Sequence, residues 1–303
     1  MVRYRNVVAF CAVALLWGLS LAAVEVGLRS FPPLLLSAFR YYIGGAILLS
    51  YVGLVTERWY PRTRTDVVAI CGGGVFWIAI GNGVWFVGQG LTTSVLSGLM
   101  MSLTPIATVA VSWTMLPEDR LTVASMVGLF VSFSGAVLMV WPSDLATVTA
   151  ALVGKALLFV GVLGLAIGSV LIRWASAPLP STARTAWSVL VGAVVIHVLS
   201  VLAGEQWAMN VTTTGIASVL YLGVGATAIG YVLFFGLLDR YPAIEVNLVT
   251  YLVPIVATVA GWTLFEEHIS WRMPVGFLVI AIGFCLMKRR ELRVELERIG
   301  YRE

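Results

Sequence analysis

Charge is what this chain has least of. Asp, Glu, Lys and Arg make up 11% of its 303 residues, against 60% hydrophobic residues and a mean hydropathy of +0.97. Soluble domains carry about 25% charged residues, so an ordinary soluble enzyme is excluded. Disorder is excluded too, because disordered chains are polar and poor in aromatics. Histidine occurs twice and cysteine three times, and Cys11, Cys71 and Cys285 all lie in apolar stretches, which argues against a disulfide framework. HExxH, GxSxG, P-loop and CxxC patterns are absent. Metal or nucleophilic chemistry therefore has few ligands to use, and neither an enzyme nor a bound cofactor is expected.

What is present is a succession of apolar blocks. Charges, Pro and Gly divide the chain into expected helices at 7–28, 34–55, 67–89, 93–115, 122–141, 152–173, 184–203, 215–237, 242–264 and 273–288. Each is read as a helix, because an open segment in lipid has to satisfy its own backbone polar groups. Ten spans of about 20 residues need about 200 residues, which this length holds with short loops. Arg3 and Arg5 before an apolar run resemble a secretory signal, but Val7 to Leu28 is long for one and reads as the first membrane helix. With the N-terminus placed inside, 15 of the 19 Lys and Arg residues fall on the cytoplasmic face, three fall outside, and Arg40 lies within helix 2. That asymmetry predicts both termini in the cytoplasm. It also explains the net charge of +4 without nucleic acid as a partner.

The chain repeats itself. Shifted by 149 residues, Ala79-Ile80-Gly81 falls on Ala228-Ile229-Gly230, Phe86 on Phe235, Pro105-Ile106 on Pro254-Ile255 and Trp113-Thr114 on Trp262-Thr263. After a one-residue gap, Glu118 meets Glu266, Val127-Gly128 meets Val275-Gly276 and Gly135 meets Gly283. Residues 1–146 and 147–288 therefore read as two five-helix halves, and 289–303 as a cytoplasmic amphipathic tail. Five is odd, so the second half enters from the opposite face. The expected fold is all-α and polytopic, with ten transmembrane helices in two inverted repeats. Alternating-access transporters use that plan, with cargo near the midplane between the halves.

Trp17-Gly18 in helix 1, PPLLLSAFR at the start of helix 2, the pattern TPI…LPEDRLT…G…G, and its echo LVTYLVPIVATVAGWTLFEEHIS before Gly276 and Gly283 resemble the EamA family. That family is the ten-helix branch of the drug/metabolite transporter superfamily, and the resemblance covers nearly the whole chain. It implies export of amino acids and related metabolites. Some members move drugs, nucleotide sugars or phosphorylated sugars. It also implies a central cavity lined by helices 1, 3, 4, 6, 8 and 9. One departure is Glu118-Asp119, where the family more often has Gly before a single Glu.

Candidate site residues follow from polarity inside apolar helices. Asn82, Trp85 and Gln89 recur at i, i+3 and i+7 and share one side of helix 3. That side reads as a pocket wall, or alternatively as glue between helices with Gly81 and Gly83 allowing close approach. Tyr231 and Phe234 stand at the repeat-equivalent places in helix 8. Trp17, Asn247 and Tyr251 are further candidates for substrate contact. Pro105 and Pro254 lie mid-span in helices 4 and 9, where each removes a backbone hydrogen bond and favours a kink. Intramembrane charge marks Glu25, Arg40 and Glu245. Glu25 and Arg40 are expected to pair at the outer mouth, with a proton-carrying Glu25 or a carboxylate-binding Arg40 as the sharper alternatives. His197 reads as structural before it reads as a proton relay. The acids Glu118, Glu266 and Glu267 are expected to cap the hairpins between helices 4–5 and 9–10.

The resulting expectation is a secondary transporter in the plasma (cell inner) membrane that exports small metabolites, amino acids or their relatives first. A hydrophobic-drug or cation exporter is the alternative of the same kind, and a channel or scaffold the alternative of another. The expected partners are the small-molecule cargo and the lipid bilayer, with a homodimer left open.

Overall fold

The computed structural model describes residues 2–115, 123–140, 148–206, 209–238, 249–287 and 289. Helices α1 (Val2–Leu28), α2 (Pro33–Val55), α3 (Arg64–Gly90), α4 (Ser94–Met115), α5 (Val123–Val140), α6 (Val148–Trp174), α7 (Ser181–Leu202), α8 (Thr213–Leu237), α9 (Val249–Phe265) and α10 (Arg272–Met287) follow in chain order, and no strand occurs among the described residues. Seven of them, α1 to α4 and α6 to α8, are long and apolar enough to cross a membrane, while α5, α9 and α10 contain shorter apolar stretches. Large apolar side chains such as Leu54, Phe130, Val259 and Trp262 face outward. A soluble surface does not tolerate so much exposed apolar area, but lipid favours it. The chain is a multi-pass membrane protein.

Local chemistry starts the helices where it should. Pro33 opens α2, where its missing N–H costs nothing. Thr63 caps α3 by accepting from Asp66 N at 3.1 Å, while the Asp66 carboxylate accepts from Thr63 N at 3.0 Å, a reciprocal capping box. One repeat later Thr212 caps α8, accepting from Gly215 N at 3.0 Å. The connection between the helices expected at 67–89 and 93–115 is the turn between Gly90 and Ser94.

Three helices are irregular at their centres. In α3 the stretch Gly73–Val84 is a π-helix, and in α8 the stretch Tyr221–Ile229 is another. Shifted by 149 residues these overlap, so the widened turn recurs in both halves. α4 is broken between Met101 and Thr104, with Pro105 just inside the second segment. The tight turn there is closed by Ser102 N donating to Leu99 O and Leu103 N to Met100 O, both at 3.1 Å. Pro254 lies inside α9, which continues as one helix on both sides of it. Gly18 of α1 and Gly98 of α4 pack directly on α9 beside Pro254, so the missing bond lies inside a tight three-helix crossing.

Equivalent helices of the two halves pack in antiparallel pairs. Leu34 at the start of α2 meets Glu205 just after α7, while Trp59 after α2 stacks on Trp187 near the start of α7 at 6.3 Å. In α4 and α9, Ser94 and Val95 lie beside Gly261, and Gly98 lies beside Pro254 and Ala257. In α5 and α10, Gly128 lies against Gly283 and Gly135 against Gly276. At Gly135 and Gly283 an added Cβ would strike the opposing backbone, so glycine is what allows this approach.

Candidate functional site

A cavity of about 70 Å³ lies between the halves. α1 contributes Trp17, Ser20, Leu21 and Val24 to its wall, and α3 contributes Trp77, Asn82, Trp85 and Phe86. Arg40 of α2, Met101 of α4, Leu165 of α6 and Tyr231 of α8 complete it. The lining differs from the set that the family resemblance implies. α2 enters through Arg40, and α9 supplies no lining residue among those described.

Hydrogen bonds fix the aromatic wall. Trp17 Nε1 donates to the Ala226 carbonyl at 3.0 Å, which ties α1 to the π-stretch of α8. The Trp17 ring meets Tyr231 edge-on at 5.9 Å and Phe234 at 5.0 Å, and Trp77 lies 5.5 Å from Tyr231. Such offset and edge contacts suit the ring quadrupoles. Asn82 Nδ2 donates to the Trp77 carbonyl at 2.7 Å, and Thr227 Oγ1 donates to the Leu222 carbonyl at 2.8 Å. Both bonds reach back five residues, the spacing of a π-turn, so each half holds its widened turn with a side chain.

Of the helix 3 trio, Asn82 and Trp85 line the cavity and Gln89 does not. A rise of about 1.5 Å per residue carries Gln89 about 10 Å beyond Asn82 along the axis. There it is fully buried and donates Nε2 to the Leu21 carbonyl at 2.7 Å, holding α3 to α1. Tyr231 lines the cavity, and Phe234 instead backs Trp17. Glu245 and Asn247 fall outside the described residues, as do Glu118, the side chain of Tyr251 and the tail beyond 289. His197 rests edge-on against Tyr42 at 5.9 Å, away from the cavity. Trp77 and Phe86 were not singled out by sequence reasoning.

The expected Glu25–Arg40 pair does not form. Arg40 is buried and donates Nε to Thr227 Oγ1 at 2.9 Å. Glu25 is half-buried, and its charged neighbours are Glu267 and Arg29. The single ion pair within 4.0 Å among the described residues is Arg58–Asp66, at 3.1 Å.

The acids near the helix ends act across the halves. Glu267, expected to cap the α9–α10 hairpin, instead accepts from Ser94 N at 3.0 Å, Ser94 Oγ at 2.6 Å and Val95 N at 2.9 Å. Its carboxylate thereby caps α4, where negative charge also suits the helix dipole. Glu205 does the same for α2, accepting from Leu34 N at 2.9 Å, Leu35 N at 3.0 Å and Ser200 Oγ at 2.6 Å. Ser30 and Thr212 meet at 2.8 Å on the same end of the molecule. The opposite end is joined by Asp66, which accepts from Leu179 N at 2.9 Å.

Comparison with known proteins gives one consistent answer. YoaV of Bacillus subtilis, an uncharacterized transporter, is 26% identical over 280 residues, 91% of this chain and 94% of its own length. YedA of Escherichia coli, an uncharacterized inner membrane transporter, is 24% identical over 288 residues, 92% of this chain and 91% of its own. A protein of known crystal structure shares the fold with a TM-score of 0.66 at 21% identity, covering 96% of this chain and 99% of that one. The profile of the EamA-like transporter family matches twice, over residues 5–141 and again over 152–289. With nearly the whole chain matched in two copies, this protein belongs to the EamA-like transporter family, a family of transporters and not of enzymes.

Proposed function

We propose that the protein is a secondary transporter that exports small metabolites, amino acids and their relatives, by alternating access. In this reading the chain crosses the cell inner membrane ten times in two inverted five-helix repeats, with both termini in the cytoplasm. The antiparallel pairing of α2 with α7, α4 with α9 and α5 with α10 supports the inversion, since a second half entering from the other face orients its helices in this way. The observation that carries the reading is the cavity. Both halves wall it, four of its lining residues are aromatic rings from α1 and α3, and at about 70 Å³ it is far below the ~300–1,000 Å³ of ordinary ligand pockets. Cargo enters such a site only when the halves move apart, as a rocking carrier requires. With Arg40 the one cation among the described residues of its wall, the cavity suits a compact metabolite better than a multiply charged phosphate, which calls for clusters of Lys or Arg.

The test is counterflow of labelled amino acids in liposomes reconstituted with the full chain. Transport is expected, with at least a tenfold loss in Trp85→Ala and Asn82→Ala. No transport of any amino acid discards the cargo class, and native rates in both variants discard the site.

An apolar-drug cargo is the second reading. A groove of about 600 Å³ between α4, α5 and α6, lined by Leu103, Ile106, Phe130, Phe133, Phe159 and Val162, favours it. Competition by an apolar cation against amino acid counterflow separates the two.

A further inference from the structure

Among the described residues of the cavity wall, Arg40 is the single Asp, Glu, Lys, Arg or His. Its side chain is almost wholly buried, at 6% exposure. Nε is committed to Thr227 Oγ1, and that hydroxyl is itself anchored on the Leu222 carbonyl. The guanidinium carbon lies 5.0 Å from the Tyr41 ring centre and 5.7 Å from that of Phe86. No carboxylate among the described residues comes within ion-pair distance of it. Its remaining four N–H donors, on the two Nη atoms, have no acceptor among those residues either.

A cation held inside an apolar bundle is costly unless something compensates it. The Tyr41 and Phe86 rings give part of that compensation through cation–π attraction. A ring face does not accept the paired in-plane N–H bonds of the guanidinium fork, whereas a carboxylate does, with both oxygens. The Thr227 bond fixes the guanidinium by one edge and leaves the Nη donors for a guest. The same cavity wall holds Trp17, Trp77, Trp85 and Tyr231, which suit an apolar or aromatic body. Among the described residues no acid stands in that wall to receive an ammonium group.

Resting on the cavity as the cargo site, we propose that Arg40 is the anchor for a single carboxylate of the cargo. The class carried is then compact monocarboxylates with an apolar or aromatic body, in which the carboxylate is required and an amino group is not. Arg40 touches the cargo directly, and Thr227 is a positioning residue.

Binding of four probes to the purified full chain tests this: 3-phenylpropanoate, phenylalanine, phenylalaninamide and 2-phenylethylamine. The two carboxylates are expected to bind with Kd values within tenfold of each other. The amide and the amine are expected to bind at least tenfold more weakly than either. Arg40→Gln is expected to abolish that preference. Arg40→Lys, which keeps the charge and loses the fork, is expected to retain a reduced one. A purely structural link between α2 and α8 does not alter which head group is preferred. Amine or amide binding as tight as 3-phenylpropanoate overturns the proposal on the native chain alone, whatever the variants' folding. Carboxylate preference unchanged in Arg40→Gln overturns it as well. Either result, alongside counterflow that remains sensitive to Trp85→Ala, removes the anchor and leaves the cavity reading standing.

Discussion

Asp66 shows how much one buried carboxylate can organise. It is fully buried, and its oxygens accept from Leu179 N, Arg62 N and Thr63 N while pairing with Arg58. Replacing it with alanine strands three backbone donors and a guanidinium, a loss on the order of 3–5 kcal/mol. Arg58 is 33% exposed, so its own removal is screened and costs about 1 kcal/mol or less. Thermal unfolding in detergent is expected to show Asp66→Ala melting roughly 10 °C lower, with Arg58→Ala within a few degrees of native. Asp66 drew no attention in the sequence, because Leu179 is 113 residues away and local pattern does not report a bond of that span. Trp17, Arg40, Asn82, Trp85 and Tyr231 were legible, since a polar, charged or indole side chain stands out in an apolar helix. Trp77 was missed for a physical reason. Five residues from Asn82, it sits well off that face in a 3.6-residue helix, and only the π-turn brings the two together.

At the scale of elements, the ends of helices hold the halves to one another. Glu267 and Glu205 belong to the second half and cap α4 and α2 of the first. Capping bonds of this kind are worth about 1 kcal/mol each, enough together to bias an opening equilibrium severalfold. Glu267→Ala is therefore expected to loosen that end of the molecule. With Cys11, Cys71 and Cys285 replaced by serine, the maleimide labelling rate of Leu21→Cys in the cavity wall is expected to rise severalfold in Glu267→Ala. An unchanged rate means that the bond does not latch the halves. Helix positions were nearly all readable from apolar blocks, and the break in α4 follows from Pro105. Pro254 stands inside a continuous α9, and what sequence could not show is that Gly18 and Gly98 of two other helices pack beside it.

For the whole molecule, the repeat seen in sequence reappears in caps 149 residues apart, in overlapping π-stretches and in antiparallel helix pairs. The inverted reading places the exposed positions Glu57 and Ser176 on one side of the membrane and Leu91 and Ala203 on the other. Single cysteines at these four positions, labelled with a membrane-impermeant reagent in intact cells, are expected to divide two and two. Leu91→Cys and Ala203→Cys are the pair that should react; reaction of the other pair alone reverses the orientation of the termini, and any other division breaks the inverted topology. The paired π-stretches also set a rule for chain length. Each holds its helix out of the ordinary α frame, so deleting one residue from Gly73–Val84 would change the phase of everything after it relative to the first part of α3. Trp85 and Phe86 would swing off the cavity, while Tyr231 in the other half stayed where it was. Substitutions in these two helices away from the cavity wall leave that phase intact, whereas a change in residue count does not.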